Sequence, residues 1–281
     1  MRSSRMLNTE TWPPKPEPRN VKMTSLRHSM NLKNGGVISL VGAGGKTALM
    51  FRLARELSRQ GAAVLSTTTT KIYTPNRKQA SIVMISESAR ALAIEAREIL
   101  KRNPHISAGH RLIPFQNKLK GFPPDAIDDI WRSGVFRWIV VEADGAAGKP
   151  IKAPAEHEPV IARSTKWIIG IVSLKAIGKP LTEKWAFRPQ RVSKITGLDL
   201  GAVITESAIA EVLVNDDGIM KGFPAQAKRF AFLNQAESQE RLEAGRRIAK
   251  IINSHKTAGL AGVFIGQTLY EPIIAEYYPA D

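Results

Sequence analysis

Along residues 37–266, short apolar runs alternate with stretches whose apolar positions recur every three or four residues. The first run, 37–41, has the continuous apolar character of a strand buried on both faces. Leu49, Leu53 and Leu57 then fall on one helical stripe. Residues 63–67 and 81–85 predict further strands, and 87–102 a helix. Residues 103–125, punctuated by Pro104, Gly109, Pro114, Gly121, Pro123 and Pro124, are expected to be loop. Core strands are expected at 138–142, 167–173, 228–233 and 262–265, with a helix over 237–254 between the last two. Residues 175–226 have helical pattern but no strand, and are taken as a helical excursion. This alternation predicts an α/β fold with a mostly parallel, doubly wound sheet in three layers.

The junction of the first strand and helix carries the most specific chemistry. It reads Gly42-Ala43-Gly44-Gly45-Lys46-Thr47, with Ala48 opening the helix. Glycines let the backbone curl until several N–H groups point inward, and the helix N-terminus adds its positive dipole end. Lys46 supplies a cation for outer phosphates and the Thr47 hydroxyl a ligand for Mg²⁺. The strict P-loop spacing places its first glycine where this chain has Leu40, so the loop is a shortened form. The expectation is a P-loop NTPase-like domain over 35–281 that binds ATP or GTP with Mg²⁺.

Three other segments join this picture. The strand 138–142 ends in Glu142, with Asp144 two residues on. Acids there hold Mg²⁺ in P-loop proteins. Asp144 is expected on the metal, and Glu142 on the attacking water. The run 66–71, Ser-Thr-Thr-Thr-Thr-Lys, leaves the second strand at the same edge. Thr69 and Lys71 are candidates for substrate contact, against plain β-propensity. The segment 148–159 holds Lys149, Lys152, Glu156, His157 and Glu158 among prolines. It reads equally as a substrate or acid/base loop, with Lys152, Glu156 and His157 facing the substrate, and as a helix N-terminus. Asn234 ends the strand 228–233 in an Asn-Gln-x-Glu pattern where guanine-specific proteins have Asn-Lys-x-Asp. It is a candidate purine contact, with helix capping as the alternative.

Composition narrows the classes. The chain has no cysteine and only five histidines. Disulfide frameworks, thiolate metal sites and a cysteine nucleophile are excluded, and a cytoplasmic location is expected. No apolar run reaches membrane-spanning length. Residues 1–34 are polar, basic and proline-rich, and are expected to be a disordered tail. Net charge is +16. Seven Lys/Arg against two Glu lie in residues 1–33, and nine against three in 76–120. This suits anionic partners. No RNP pattern, helix-turn-helix or zinc finger accompanies it, so nucleic acid ranks as a minority partner.

The motifs GAGGKT, TTTTK, VEADGAAGKPIKAPAEHEPVI, FRPQ…TGLDLG…IT and FLNQAE occur in that order. Together they resemble the YqeC family over about residues 37–266. That resemblance implies an accessory protein of selenium-dependent molybdenum hydroxylases, acting in making or inserting a selenium-containing cofactor. Nucleotide binding is implied, with an NTPase or phosphoryl-transfer role. The expected partners are a selenium- or molybdopterin-related substrate and a molybdenum hydroxylase. A non-catalytic, nucleotide-switched chaperone or scaffold is the alternative.

Overall fold

The computed structural model describes residues 25–255 and 259–280. Its centre is a nine-stranded sheet built on the apolar runs. In chain order the strands are β1 (Gly36–Gly42), β2 (Val64–Thr68), β3 (Lys71–Tyr73), β4 (Val83–Ile85), β5 (His105–Gly109), β6 (Arg111–Ile113) and β7 (Lys118–Lys120). They continue as β8 (Trp138–Glu142), β9 (Ile151–Lys152), β10 (Thr165–Ser173), β11 (Ala186–Phe187), β12 (Lys228–Asn234), β13 (Leu260–Gly266) and β14 (Ile274–Pro279). The main sheet runs β14-β13-β12-β10-β1-β8-β2-β5-β4. Every pairing in it is parallel except β13 with β14. β9 and β11 form a small parallel pair, and β3, β7 and β6 an antiparallel ribbon.

The helices are α1 (Leu26–Ser29), α2 (Lys46–Ser58), α3 (Ala89–Leu100), α4 (Pro124–Arg132), α5 (Pro189–Thr196), α6 (Glu206–Val214) and α7 (Gln239–Ser254). Side chains alternate along each strand, so neighbouring core residues serve opposite layers. Ile38, Leu40, Trp138 and Val140 pack with Leu49, Met50 and Leu53 of α2. Val37, Ile139 and Val141 pack with Leu92 of α3 and Ile127 and Ile130 of α4. Farther along that opposite face, Ile168, Val172, Leu233 and Val263 meet Val192, Ile209 and Ile248 of α5, α6 and α7. The fold is the expected three-layer, mostly parallel α/β arrangement. The excursion 175–226 holds α5, α6 and the two-residue β11, packed on the sheet.

Three expectations are corrected. Residues 103–125 are not loop: β5 joins the main sheet, β6 and β7 build the ribbon, and α4 begins at Pro124. β5 escaped notice because His-Ile-Ser-Ala-Gly has little apolar bulk. Its polar groups are satisfied inside, His105 Nε2 lying 2.9 Å from Ser66 Oγ. β14 adds an antiparallel edge beyond the last expected strand. The third correction concerns the tail: residues 1–24 lie outside the described residues, but 25–34 belong to the domain. Ser25 caps α1, its hydroxyl accepting from His28 N, and Leu26, Met30 and Leu32 are buried in the core around α2. Three apolar side chains at near-helical spacing suffice here, although the surrounding composition is polar.

Truncation of Leu26 to alanine is therefore expected to destabilise the domain by roughly 2–5 kcal/mol. A chain lacking residues 1–30 should also melt well below the full chain. Calorimetric melting checks both, and unchanged melting temperatures would show that α1 contributes no packing.

Candidate functional site

β1 ends at Gly42, and the chain turns through Ala43, Gly44 and Gly45 into α2. Gly44 and Gly45 have φ of 80° and 135°. Close contacts add to that requirement. A Cβ on Gly44 would lie 2.4 Å from Ser173 Cβ, and one on Gly45 2.1 Å from Asn234 Nδ2. Ala43 N donates to Ile171 O at 2.8 Å, tying the loop to β10. Gly45 is the N-cap of α2 and no side chain caps the helix. The first N–H groups of a helix lack intrahelical acceptors. Such an uncapped terminus behind glycines is suited to an anion.

Lys46 is buried and folds back over this loop. Its Nζ donates to Gly42 O at 2.5 Å. It also lies 3.1 Å from Asp144 Oδ1 and 3.9 Å from Glu142 Oε1. β8 is the direct neighbour of β1, with Leu40 opposite Glu142. This register brings both acids to the loop, as the sequence led us to expect. Their contacts differ from one another. Thr47 Oγ1 donates to Glu142 Oε2 at 2.6 Å. Asp144 Oδ2 accepts from Gly42 N at 3.0 Å and lies 3.0 Å from Lys152 Nζ. Asp144 is 0% exposed and held between two ammonium groups. Its Oδ2 is engaged by Gly42 N and Lys152, while Oδ1 has the Lys46 ion pair and no hydrogen-bond partner. Glu142, beside the Thr47 hydroxyl, forms the oxygen pair that fits a hard cation. Burial pushes the Glu142 carboxyl above its ordinary pKa, against the opposing pull of Lys46 and the Thr47 hydrogen bond. A cation arriving there would favour the ionised form.

The substrate candidates are dispersed. Lys152 does not face outward: it is fully buried, donating to Gly145 O at 2.6 Å and Glu158 Oε2 at 2.7 Å. Glu156 and His157 are exposed on a turn, and Glu156 pairs with Arg191 at 3.2 Å. No helix starts there, so the helix-terminus alternative for 148–159 is set aside. Thr69 Oγ1 donates to Val160 O at 2.8 Å, while Lys71 lies on the separate ribbon. Thr67 and Thr68 spend their hydroxyls on Ala108 O and Glu142 O. The threonine run thus stitches strand ends together. Asn234 is 1% exposed and donates to Gly44 O at 2.7 Å. Its amide nitrogen thus braces the loop, while its Oδ1 has no hydrogen-bond partner.

Arg188, not singled out from sequence, completes the cluster. Arg188 grips Glu158 with both terminal nitrogens, at 2.7 and 3.2 Å. Its guanidinium also stacks on Phe187, 4.3 Å from the ring centroid. β9–β11 pairing sets Phe187 opposite Lys152 and so brings Arg188 to this point. Although burial pushes the Glu158 carboxyl up, the hydrogen bonds from Arg188 and Lys152 hold it down at about 2. The FRPQ motif and the lysine-acid loop were both visible signals, but their mutual contact was not.

A strand, a glycine loop with Lys-Thr, a helix and an adjacent acid-bearing strand define a P-loop type of α/β protein. A family model described as YqeC protein matches residues 38–190. The YqeC protein of Escherichia coli (strain K12) is 30% identical over 253 residues, covering 88% of this chain and 93% of its own length. The chain belongs to the YqeC family. Among solved structures it is similar to chloroplast FtsY from Physcomitrella patens, at 11% identity and a TM-score of 0.34. That match covers 89% of this chain and 63% of the other. A second is the signal recognition particle 54 kDa protein from Aeropyrum pernix K1 in complex with GDP, at 14% identity and a TM-score of 0.35, covering 88% of this chain and 44% of the other.

The Glu158 pairing carries a pH signature. Its folded pKa of about 2 lies below the ordinary 4.5. Its stabilisation is therefore complete above pH 4.5 and is lost as pH falls through about 2. Glu158→Gln should lower stability at neutral pH and flatten the acid limb between those values. Chemical denaturation across pH 2–7 checks this, and an unchanged acid limb would remove Glu158 from the account.

Proposed function

We propose that this protein binds a nucleoside triphosphate with Mg²⁺ and acts as an NTPase or phosphoryl-transfer protein. The observation that carries the proposal is the Thr47–Glu142 hydrogen bond beside an uncapped, glycine-preceded helix terminus. The N–H groups of Gly44, Gly45, Lys46, Thr47 and Ala48 would hold phosphate oxygens. Lys46 would leave the Gly42 carbonyl for the outer phosphates. Thr47 and Glu142 would hold Mg²⁺, which would supply positive charge against that of the phosphates. Asp144 anchors Gly42 and positions Lys46 and Lys152, and Asn234 supports the loop floor. The family resemblance supports a place in selenium or molybdenum cofactor maturation of hydroxylases. Glu156 and His157, exposed on the adjoining loop, are the groups proposed to meet a second substrate. Either ATP or GTP suits the phosphate site.

A nucleotide-switched chaperone or scaffold is favoured by a separate observation. Lys46, Asp144, Lys152, Glu158 and Arg188 form a continuous chain of ion pairs. Drawing Lys46 toward phosphate would loosen its hold on Asp144 and alter the balance as far as α5. Measured turnover separates the two roles, since a switch needs binding but little hydrolysis.

Three variants test the site. Lys46→Ala should weaken triphosphate binding more than tenfold, the worth of a charge-assisted contact of about 1.5–3 kcal/mol. Glu142→Gln should reduce Mg²⁺-dependent binding far more than metal-free binding. Asp144→Asn should chiefly lower the melting temperature, because it leaves two buried ammonium groups undercompensated. Nucleotide titrations with and without Mg²⁺, alongside thermal melts, give these quantities. Selective loss of Mg²⁺ dependence in Asp144→Asn with full dependence in Glu142→Gln would reverse the two assignments.

A further inference from the structure

The ribbon of β3, β7 and β6 leaves the main sheet where Thr69 and Thr70 exit β2, and Gly121 N closes it on Thr70 O at 2.6 Å. Its register lines up charges far apart in sequence. Lys71 lies opposite Lys120, which lies opposite Arg111. Two residues along, Tyr73 lies opposite Lys118 and Lys118 opposite Ile113. Side chains alternate between faces, so these two rows share one face. The row between them, Ile72, Leu119 and Leu112, takes the other face. Ile72 and Leu119 are buried and Leu112 at the β6 edge is exposed, so across β3 and β7 that face turns toward the domain and the charged rows toward solvent.

Four of the six outward positions are cations and none is an acid. Lys71, Arg111 and Lys120 are exposed, and among the described residues none of the four cations forms an ion pair. Like charges directly opposite one another weaken a sheet. A row of three in register is therefore a local cost to the fold, relieved by an anionic partner. One aromatic ring shares that face and another lies at the tip of the ribbon. Tyr73 is 70% exposed with the Lys118 ammonium 5.1 Å from its centroid, and Phe115, in the turn joining β6 to β7, is fully exposed.

We propose that this face binds single-stranded nucleic acid. Strands about 5 Å apart place the three cations in a line that can follow a phosphate backbone. The exposed rings offer stacking surfaces for bases, and this combination is how sequence-tolerant single-strand binders work. An acidic protein segment would answer the cations but leave the rings without a role. No phosphate-loop residue takes part, so this binding stands or falls separately from nucleotide binding.

The experiment uses the full chain and a fluorescein-labelled 12-nucleotide single-stranded RNA, followed by anisotropy at several salt concentrations. The comparison probe is a glutamate-rich peptide of equal charge. Replacing Lys71, Arg111 and Lys120 together by glutamine should weaken RNA binding at least tenfold and lower the salt slope by about two. Tyr73→Ala should weaken binding and leave the slope unchanged. A control with Arg90, Arg97 and Arg102 of the α3 region replaced by glutamine should lose far less. The ribbon triple variant should melt at or above the wild-type temperature, since it relieves repulsion. Should that variant fail to fold, Lys120→Gln alone is judged by the same criteria. Equal losses in ribbon and control variants, wild-type binding in the ribbon variant, or binding of the peptide but not the RNA would each overturn the proposal.

Discussion

The organisation of this molecule depends on a carboxylate with no access to water. Asp144 sits just past the end of β8 between the ammonium groups of Lys46 and Lys152, both themselves buried. Removing one partner from such a group costs about 3–5 kcal/mol, because a buried charge is left uncompensated. The arrangement therefore constrains everything it touches. Asp144 fixes the Gly42 amide and so the exit of β1. Lys152 fixes Gly145 and Glu158, and through Glu158 the side chain of Arg188 ahead of α5. The glycine loop, the lysine-acid loop and the excursion are thereby coupled through one chain of ion pairs.

The loop itself is shaped by crowding as much as by charge. Its glycines lie against Ser173 at the end of β10 and Asn234 at the end of β12, where side chains have no room. Leu40, which occupies the position of the first glycine in the strict phosphate-loop pattern, is a fully buried strand residue opposite Glu142. The turn is consequently shorter, and neighbouring strand ends supply its walls. Asn234 is one of those walls, its amide donating to Gly44 O.

The core strands were legible because parallel strands buried on both faces give continuous apolar runs: 138–142 matches β8 to the residue. β5 was not, since only Ile106 and Ala108 of its five residues are apolar core positions. Residues 26–32 were hidden by a basic, proline-rich context, although Leu26, Met30 and Leu32 are core residues. At the site, Lys46, Thr47, Glu142 and Asp144 were identified from spacing alone, because a strand end beside a glycine loop dictates proximity. Which acid meets Thr47 and which meets the lysines depends on side-chain direction and burial, neither of which periodicity encodes. Lys152 is instructive: a lysine in a polar, proline-bounded loop reads as exposed, yet it has three buried oxygen partners from Gly145, Glu158 and Asp144. The ribbon's aligned cations depend on strand register across some fifty residues, which no linear motif carries.

The central claim is that the backbone amides of the glycine loop receive phosphate. Amide NMR of the ¹⁵N-labelled chain, titrated with ATP or GTP in the presence of Mg²⁺, tests it most directly. The account predicts large, saturable shifts of the Gly44, Gly45, Lys46 and Thr47 N–H resonances, with smaller changes at Glu158 and Arg188. Saturable shifts elsewhere, with those four amides unmoved at either nucleotide, would contradict it.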